Sequence, residues 1–244
     1  LIFGPLASRS DAVVFVCGTQ RDHWTGNYRI DSRKAVVIAN GVDVAQYRPR
    51  FSPGERAAFR NMLGFDTESF VICNCSAFRP EKRQTDLIAA AKVLRGRGAD
   101  VRVLLVGDGG ERCRIVRCID DMGMRASVCL AGYQSDVRPY LECADAVVNC
   151  SRAESLSMAI LEAMAMGRAL VCTDVGGTGE QVAEQVNGFL YEPGDVQALA
   201  DRIALLFEPG LRARFGAASR EMAESTFSLH AMVSGYQQLF ERMP

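Results

Sequence analysis

Histidine is scarce in this chain, with only His23 and His230 among 244 residues. No HxxH, HExxH or CxxC spacing occurs either, so the side chains that build dedicated zinc sites are not arrayed for that purpose, and the sequence predicts no metal site. Charge of one sign is also lacking. With 28 Lys and Arg against 29 Asp and Glu the formal net charge is -1, which removes any global electrostatic case for nucleic acid or an anionic membrane surface. Small or neutral partners fit better, and nucleic acid is not expected. No apolar run approaches the ~20 residues needed to span a bilayer.

What is present suits a globular enzyme-sized domain. The chain is 48% hydrophobic and 23% charged, enough apolar material for a sizeable core. Nine cysteines is an odd count, and Cys73, Cys75, Cys129, Cys150 and Cys172 fall inside apolar runs, where free thiols behave as small hydrophobes. This usage points to a reduced, cytoplasmic compartment.

The first residue is Leu, and Leu1 to Arg9 runs straight into the strand-like segment 12–17, as though a fold were already under way. The chain is therefore expected to be part of a longer one. A second short strand, 35–39, ends at Asn40-Gly41, a dipeptide that favours a tight change of direction, and polar, Pro-containing sequence continues to about Phe51 as a linker.

Beyond it, apolar runs alternate with helical ones. Strands are predicted over 70–77, 101–107, 127–131, 146–150, 169–174 and 188–191, and helices over 83–96, 110–122, 137–143, 156–166 and near 179–186, then 196–207, 211–224 and 229–242. This alternation implies βαβ crossovers and an α/β fold, a Rossmann-like parallel sheet with helices on both faces. In such sheets ligands bind at the carboxyl ends of strands, here the loops after Phe78, Gly107, Gly132, Cys150 and Asp174.

One of those loops leads into the most unusual segment. From Leu156 to Met166 the predicted helix is apolar on nearly every side, yet it carries Glu162, and Glu154 stands eight residues earlier in the loop. A buried carboxylate left unpaired costs several kcal/mol, so Glu162 requires a partner, either a ligand or an internal cation such as Arg79 or Arg168. The loop 77–83 places Arg79, Lys82 and Arg83 just ahead of a helix, where backbone N–H groups and cations together suit a phosphate; a solvated surface loop is the alternative. The glycine-rich turns 106–110 and 176–180 lack phosphate-loop spacing and read as tight turns or as places of close backbone approach.

Eight ordered motifs now share one pattern: Asn40-Gly41-Val42-Asp43, Arg79-Pro80-Glu81-Lys82, Val106-Gly107-Asp108-Gly109, Ala144-Asp145, Ser151-x-x-Glu154, Leu161-Glu162-Ala163-Met164-Ala165-x-Gly167, Val175-Gly176-Gly177-x-x-Glu180 and Asn187-Gly188-Phe189-Leu190. Over roughly 200 residues, this set resembles the carboxyl-terminal half of retaining glycosyltransferases of family four, which have the two-domain GT-B architecture. The resemblance implies a remnant of an acceptor domain plus linker over 1–50, a nucleotide-sugar (donor) binding domain over 51–228, and a terminal helix over 229–244 that packs toward an absent domain.

It also implies roles. Glu162 matches the residue that hydrogen-bonds the ribose and Glu154 the one that faces the sugar, while Ser155, Leu156 and Ser157 offer backbone N–H groups and Tyr133 sits where relatives contact the base. Lys82 matches the phosphate lysine. The arginine that many members carry five residues earlier is Ala77 here, and Arg79, two residues on, is the expected substitute. The family's sequence after the first glutamate, Gly-Leu or Gly-Phe then Pro, is replaced by Ser155-Leu156-Ser157.

The activity so implied is glycosyl transfer from a nucleotide-sugar to an acceptor of unspecified class, glycan, lipid or small molecule, with retention at the anomeric carbon. Arg79, Lys82 and Glu154 are the expected catalytic residues, with no cofactor and no metal. The alternative is a donor-binding subunit or degenerate nucleotide-sugar binder that works only with a separate acceptor domain, supplied in cis or in trans. Attachment to the inner face of a membrane through that domain is compatible with either.

Overall fold

A computed structural model describes residues 6–7, 9–28 and 30–243. Among the described residues eight strands form two parallel sheets: β1 (Val13–Phe15) with β2 (Ala35–Val37), and β3 (Phe70–Cys75), β4 (Val101–Val106), β5 (Val128–Gly132), β6 (Ala146–Asn149), β7 (Ala169–Thr173) and β8 (Gly188–Tyr191) in the order β5-β4-β3-β6-β7-β8. The central strands are buried on both faces, which is why they read as continuous apolar runs rather than alternating ones. One face packs around Leu87, Leu94, Ile115, Leu199 and Phe215, the other around Leu141, Ile160, Leu161, Met164 and Val182.

The helices are α1 (Gly18–Tyr28), α2 (Pro53–Met62), α3 (Gln84–Gly96), α4 (Arg112–Asp121), α5 (Arg138–Cys143), α6 (Met158–Ala165), α7 (Thr178–Gln181), α8 (Val196–Leu205), α9 (Pro209–Ser225) and α10 (Leu229–Glu241). Two differ from expectation. α6 starts at Met158, because residues 155–157 stay out of the helix and form part of the site loop. α7 is a single turn, since the chain at Ala183 already donates its N–H to the Asn187 side chain at 2.8 Å and bends toward β8. α2 is an element not among those expected, and its start is marked by a reciprocal capping box of Ser52 and Glu55 with Pro53 at the first position.

At the amino ends of the strands the fold is locked by a buried ion pair. Arg60 of α2 bonds Cys143 O at 2.8 Å and Asp145 at 2.7 Å, and Asp145 accepts the Val71 N–H at 2.8 Å, so α2, β3 and the approach to β6 are tied together. The opposite, carboxyl ends carry the candidate site. Strand order reverses between β3 and β6, the place in such a sheet where ligands bind, and the loops leaving these two neighbours lie at its carboxyl end.

The two sheets are joined by two adjacent crossings: Val42 donates to Phe227 O at 2.8 Å and Leu229 donates to Val42 O at 2.9 Å. From there α10 runs over the two-stranded unit, where Gly235 lies so near Ile38 that an added Cβ would sit 3.2 Å away. No residue of α10 is buried, and Leu229, Val233 and Phe240 are exposed. Among the described residues no helix is long and apolar enough to cross a membrane.

Candidate active site

Lys82 ends a 3-10 turn, Pro80–Lys82, in the loop after β3. Its Nζ meets Glu154 Oε1 at 2.5 Å, with the two side chains 20% and 11% exposed. The same carboxylate oxygen accepts from Ser151 Oγ at 2.7 Å and from Asn149 Nδ2 at 3.3 Å, so the end of β6 orients the acid. The loops themselves are stitched by the Arg152 N–H to Glu81 O at 2.9 Å. Low exposure strengthens each of these charged contacts relative to a solvated pair.

A third loop, after β7, closes against the second. Gly176 has φ +52°, and a Cβ there would stand 1.8 Å from Glu154 O, so only glycine allows the approach. Next to it, Ser155 O accepts from Gly177 N at 2.9 Å and from the Cys17 thiol at 3.3 Å, and Gln20 Nε2 reaches Ser155 Oγ at 3.4 Å. Glu180 completes this junction, accepting from Thr19 N at 2.9 Å, Gly18 N at 3.0 Å and Thr19 Oγ1 at 3.1 Å. Partial burial works to raise the Glu180 carboxyl, but those hydrogen bonds outweigh it and hold the group below its ordinary value.

Of the three backbone N–H groups expected to serve a ligand, that of Ser157 is already used: it donates to Gln181 Oε1 at 3.0 Å, while Gln181 Nε2 returns to Ser157 O at 2.9 Å. The N–H groups of Ser155 and Leu156 meet no acceptor among the described residues. Leu156 itself is buried and anchors the loop.

Glu162 is half-buried, and its partner is neither Arg79 nor Arg168. Tyr47 Oη donates to Glu162 Oε1 at 2.9 Å. Burial raises the Glu162 carboxyl above its ordinary value and the Tyr47 hydrogen bond offsets part of that rise; burial, then the charge of Glu162, pushes the Tyr47 phenol well up. Arg168 turns to backbone instead, donating to Met166 O and Ala144 O at 3.0 Å each, and burial pulls its pKa down to about 10.

The loop cations do not converge. Arg79 is exposed and pairs with Glu81 at 4.0 Å, Arg83 pairs with Asp86 at 2.6 Å, and both line, with Arg114 and Arg152, a cavity of 280 Å³ whose lining includes neither Lys82 nor Glu154. Tyr133, just past β5, is 77% exposed. Among the described residues no three His, Cys, Asp or Glu side chains gather as metal ligands. Sequence reasoning missed Tyr47, Asn149 and Gln181; Ser151 stood in the Ser151-x-x-Glu154 motif without a role.

Comparison with known proteins decides the family. The family described as "Glycosyl transferases group 1" matches residues 55–222. The chain belongs to this family. The N-acetyl-alpha-D-glucosaminyl L-malate synthase of Bacillus anthracis is 32% identical over 206 residues, 84% of this chain and 52% of that protein. The D-inositol 3-phosphate glycosyltransferase of Segniliparus rotundus is 30% identical over 239 residues, 95% of this chain and 52% of that protein. The chain thus spans about half the length of these curated relatives. Among solved structures, Anabaena HepE in complex with UDP and glucose superposes with a TM-score of 0.87 at 28% identity, covering 98% of this chain and 65% of that one. The six-stranded sheet is that of the carboxyl-terminal Rossmann-like domain of GT-B glycosyltransferases.

Proposed function

We propose that these residues form the donor site of a retaining glycosyltransferase of family four, with a nucleoside diphosphate sugar as donor. The observation that carries the reading is the Lys82–Glu154 pair at the sheet's reversal point, on the loops leaving adjacent strands β3 and β6, with Glu162 on the helix that follows. Two further solved structures of Anabaena HepE, in complex with UDP and with UDP-glucose, support a uridine diphosphate donor chemistry for this fold.

In this reading Glu162 accepts from the ribose hydroxyls, the free N–H groups of Ser155 and Leu156 meet the sugar or the diphosphate, and Tyr133 borders the base through its backbone. Transfer breaks the bond between the anomeric carbon and the diphosphate oxygen and forms one to the acceptor hydroxyl on the same face. The acceptor's proton passes to the departing phosphate oxygen. Charge accumulates on that diphosphate as the bond stretches, and preorganised cations stabilise it more in the transition state than in the ground state. Lys82 supplies that cation, and Arg79, a mobile-stemmed exposed side chain on the same loop, is proposed to join it once a diphosphate is bound. Glu154 is a sugar contact and an electrostatic aid, releasing Lys82 to the donor.

A thermal-shift panel of UDP-glucose, UDP-N-acetylglucosamine, GDP-mannose, UDP and uridine tests the reading. A ligand that binds only the folded state raises Tm by mass action, and the diphosphates should do so well beyond the nucleoside. No shift with any of them at millimolar concentration would sink it.

A further inference from the structure

We propose that Tyr47 is a positioning residue for Glu162, through which the linker between the two sheets sets the acid that receives the nucleotide. The inference rests on reading Glu162 as the ribose-facing acid. Tyr47 lies 115 residues before Glu162, in the linker that follows the first crossing between the sheets, and its hydroxyl occupies one carboxylate oxygen at 2.9 Å. The other, Glu162 Oε2, accepts from no group among the described residues and is left for a ligand hydroxyl.

The linker is held for this purpose from both sides. Asp43 Oδ1 accepts the N–H groups of Ala45 and Gln46 at 3.0 Å each, turning the chain so that Tyr47 comes inward. Arg220 of α9 then donates to Tyr47 O at 2.6 Å and to Val44 O at 2.9 Å, and its Nη1 also bonds Ala165 O at the carboxyl end of α6, the helix that carries Glu162. One guanidinium thus fixes both ends of the Tyr47–Glu162 contact to each other. From the base side, Arg138 donates to Gln46 O at 3.3 Å and pairs with Asp136 at 2.6 Å, so the loop after β5 braces the same turn.

A carboxylate that can rotate loses side-chain entropy on binding; one held by a phenol is already oriented. The charged groups around this contact are Glu162 itself, Asp136 and Arg138 beside Tyr47, and Arg220 on the linker backbone. Burial raises the Glu162 carboxyl and the Tyr47 hydrogen bond opposes that rise, so removing the hydroxyl should move the acid further up.

The experiment compares wild type, Tyr47→Phe and Glu162→Gln by UDP titration calorimetry from pH 5 to 8, with the Glu162 side-chain titration of the free chain followed by NMR. Tyr47→Phe removes one oxygen and leaves the ring in place. The expected result is about tenfold weaker UDP binding at pH 7, the order of one hydrogen bond to a charged group. The acid-side midpoint of binding and the Glu162 titration should both move to higher pH. Unchanged UDP affinity and pH profile in Tyr47→Phe, while Glu162→Gln weakens binding, overturns the inference and leaves the donor-site reading intact. A Glu162 titration that moves with no change in UDP binding overturns it too, because the contact would then be structural only. UDP binding that neither variant alters overturns the role given to Glu162, and the inference falls with it.

Discussion

Glu180 accepts the backbone N–H of Thr19 at 2.9 Å across 161 residues of sequence. With the Gly18 N–H at 3.0 Å it caps the start of α1, so a carboxylate on α7 seats the helix that also touches Ser155 through Gln20. A negative group at a helix amino terminus is favourable both as an acceptor and against the helix dipole.

The Glu180 carboxyl is depressed below its ordinary value of 4.5, so its contribution is fully present above that pH and is lost as pH falls through the lower, folded value. Stability of the chain should therefore decline on acidification below about 4.5 more steeply in wild type than in Glu180→Gln, which keeps an acceptor and loses the titration. Urea denaturation at pH 3.5, 4.5 and 6 gives the comparison. Parallel pH curves for the two proteins would remove Glu180 from the account.

Lys82→Ala should weaken binding of UDP much more than binding of uridine, because the partner proposed for the ammonium is the diphosphate. Arg79→Ala should show the same asymmetry, more weakly, since the free chain pairs Arg79 with Glu81 and not with Glu154. Equal losses for nucleoside and diphosphate, measured by calorimetry, would return this loop to a solvated surface. A normal diphosphate affinity in Arg79→Ala alone would mean that nothing replaces the arginine absent at Ala77.

Glu162→Ala should cost roughly 1 to 3 kcal/mol of nucleotide affinity, the usual range for a lost hydrogen bond to a charged group. The variant should fold, because a half-buried carboxylate is being removed rather than stranded, and its Tyr47 partner is itself only half-buried. A folded variant with wild-type UDP affinity by calorimetry contradicts the assignment.

Strands β3, β4, β6 and β7 were legible because a strand buried on both faces is mostly apolar, and their helices because the polar breaks between them fall at helical lengths. Lys82 and Glu154 were legible one at a time. Their contact was not, since it depends on β3 lying beside β6, a strand order that brings together residues 72 apart. Tyr47 gave no signal: a tyrosine in a polar linker acquires meaning only when Arg220 and Asp43 fold that linker onto α6. The Ser157 N–H, expected to be open to ligand, is closed by Gln181 from a helix too short for its extent to be read from sequence.

The Arg60–Asp145 pair predicts a stability effect far from the site. Both side chains are nearly buried, at 6% and 10% exposed, and Arg60 also serves the carbonyls of Cys143, Thr67 and Ser69. Arg60→Ala leaves Asp145 with Arg56 and the Val71 N–H and takes the donor from the buried carbonyls of Cys143 and Ser69, a loss on the order of 3–5 kcal/mol for a broken buried pair. Urea unfolding should show the midpoint falling with an unchanged slope, and a loss under 1 kcal/mol would mean that Arg56 takes over the whole role.

These 244 residues alone should bind donor yet transfer sugar negligibly. Transfer between two bound molecules depends on holding them in near-attack geometry, which is worth up to about 7–11 kcal/mol of the barrier. The proposed donor side is formed by the loops after β3, β6 and β7, whereas the proposed acceptor wall belongs to a domain outside this stretch, consistent with a match to about half the length of the relatives. The apolar stripe of α10, with Val233 and Phe240 exposed, is the face expected to meet that domain, and left uncovered it should promote self-association. Light scattering and an acceptor-dependent release assay for UDP on the same sample decide the matter. Robust acceptor-dependent turnover by a monomer of these residues would show that the acceptor is held within them, and the two-walled cleft would have to be abandoned.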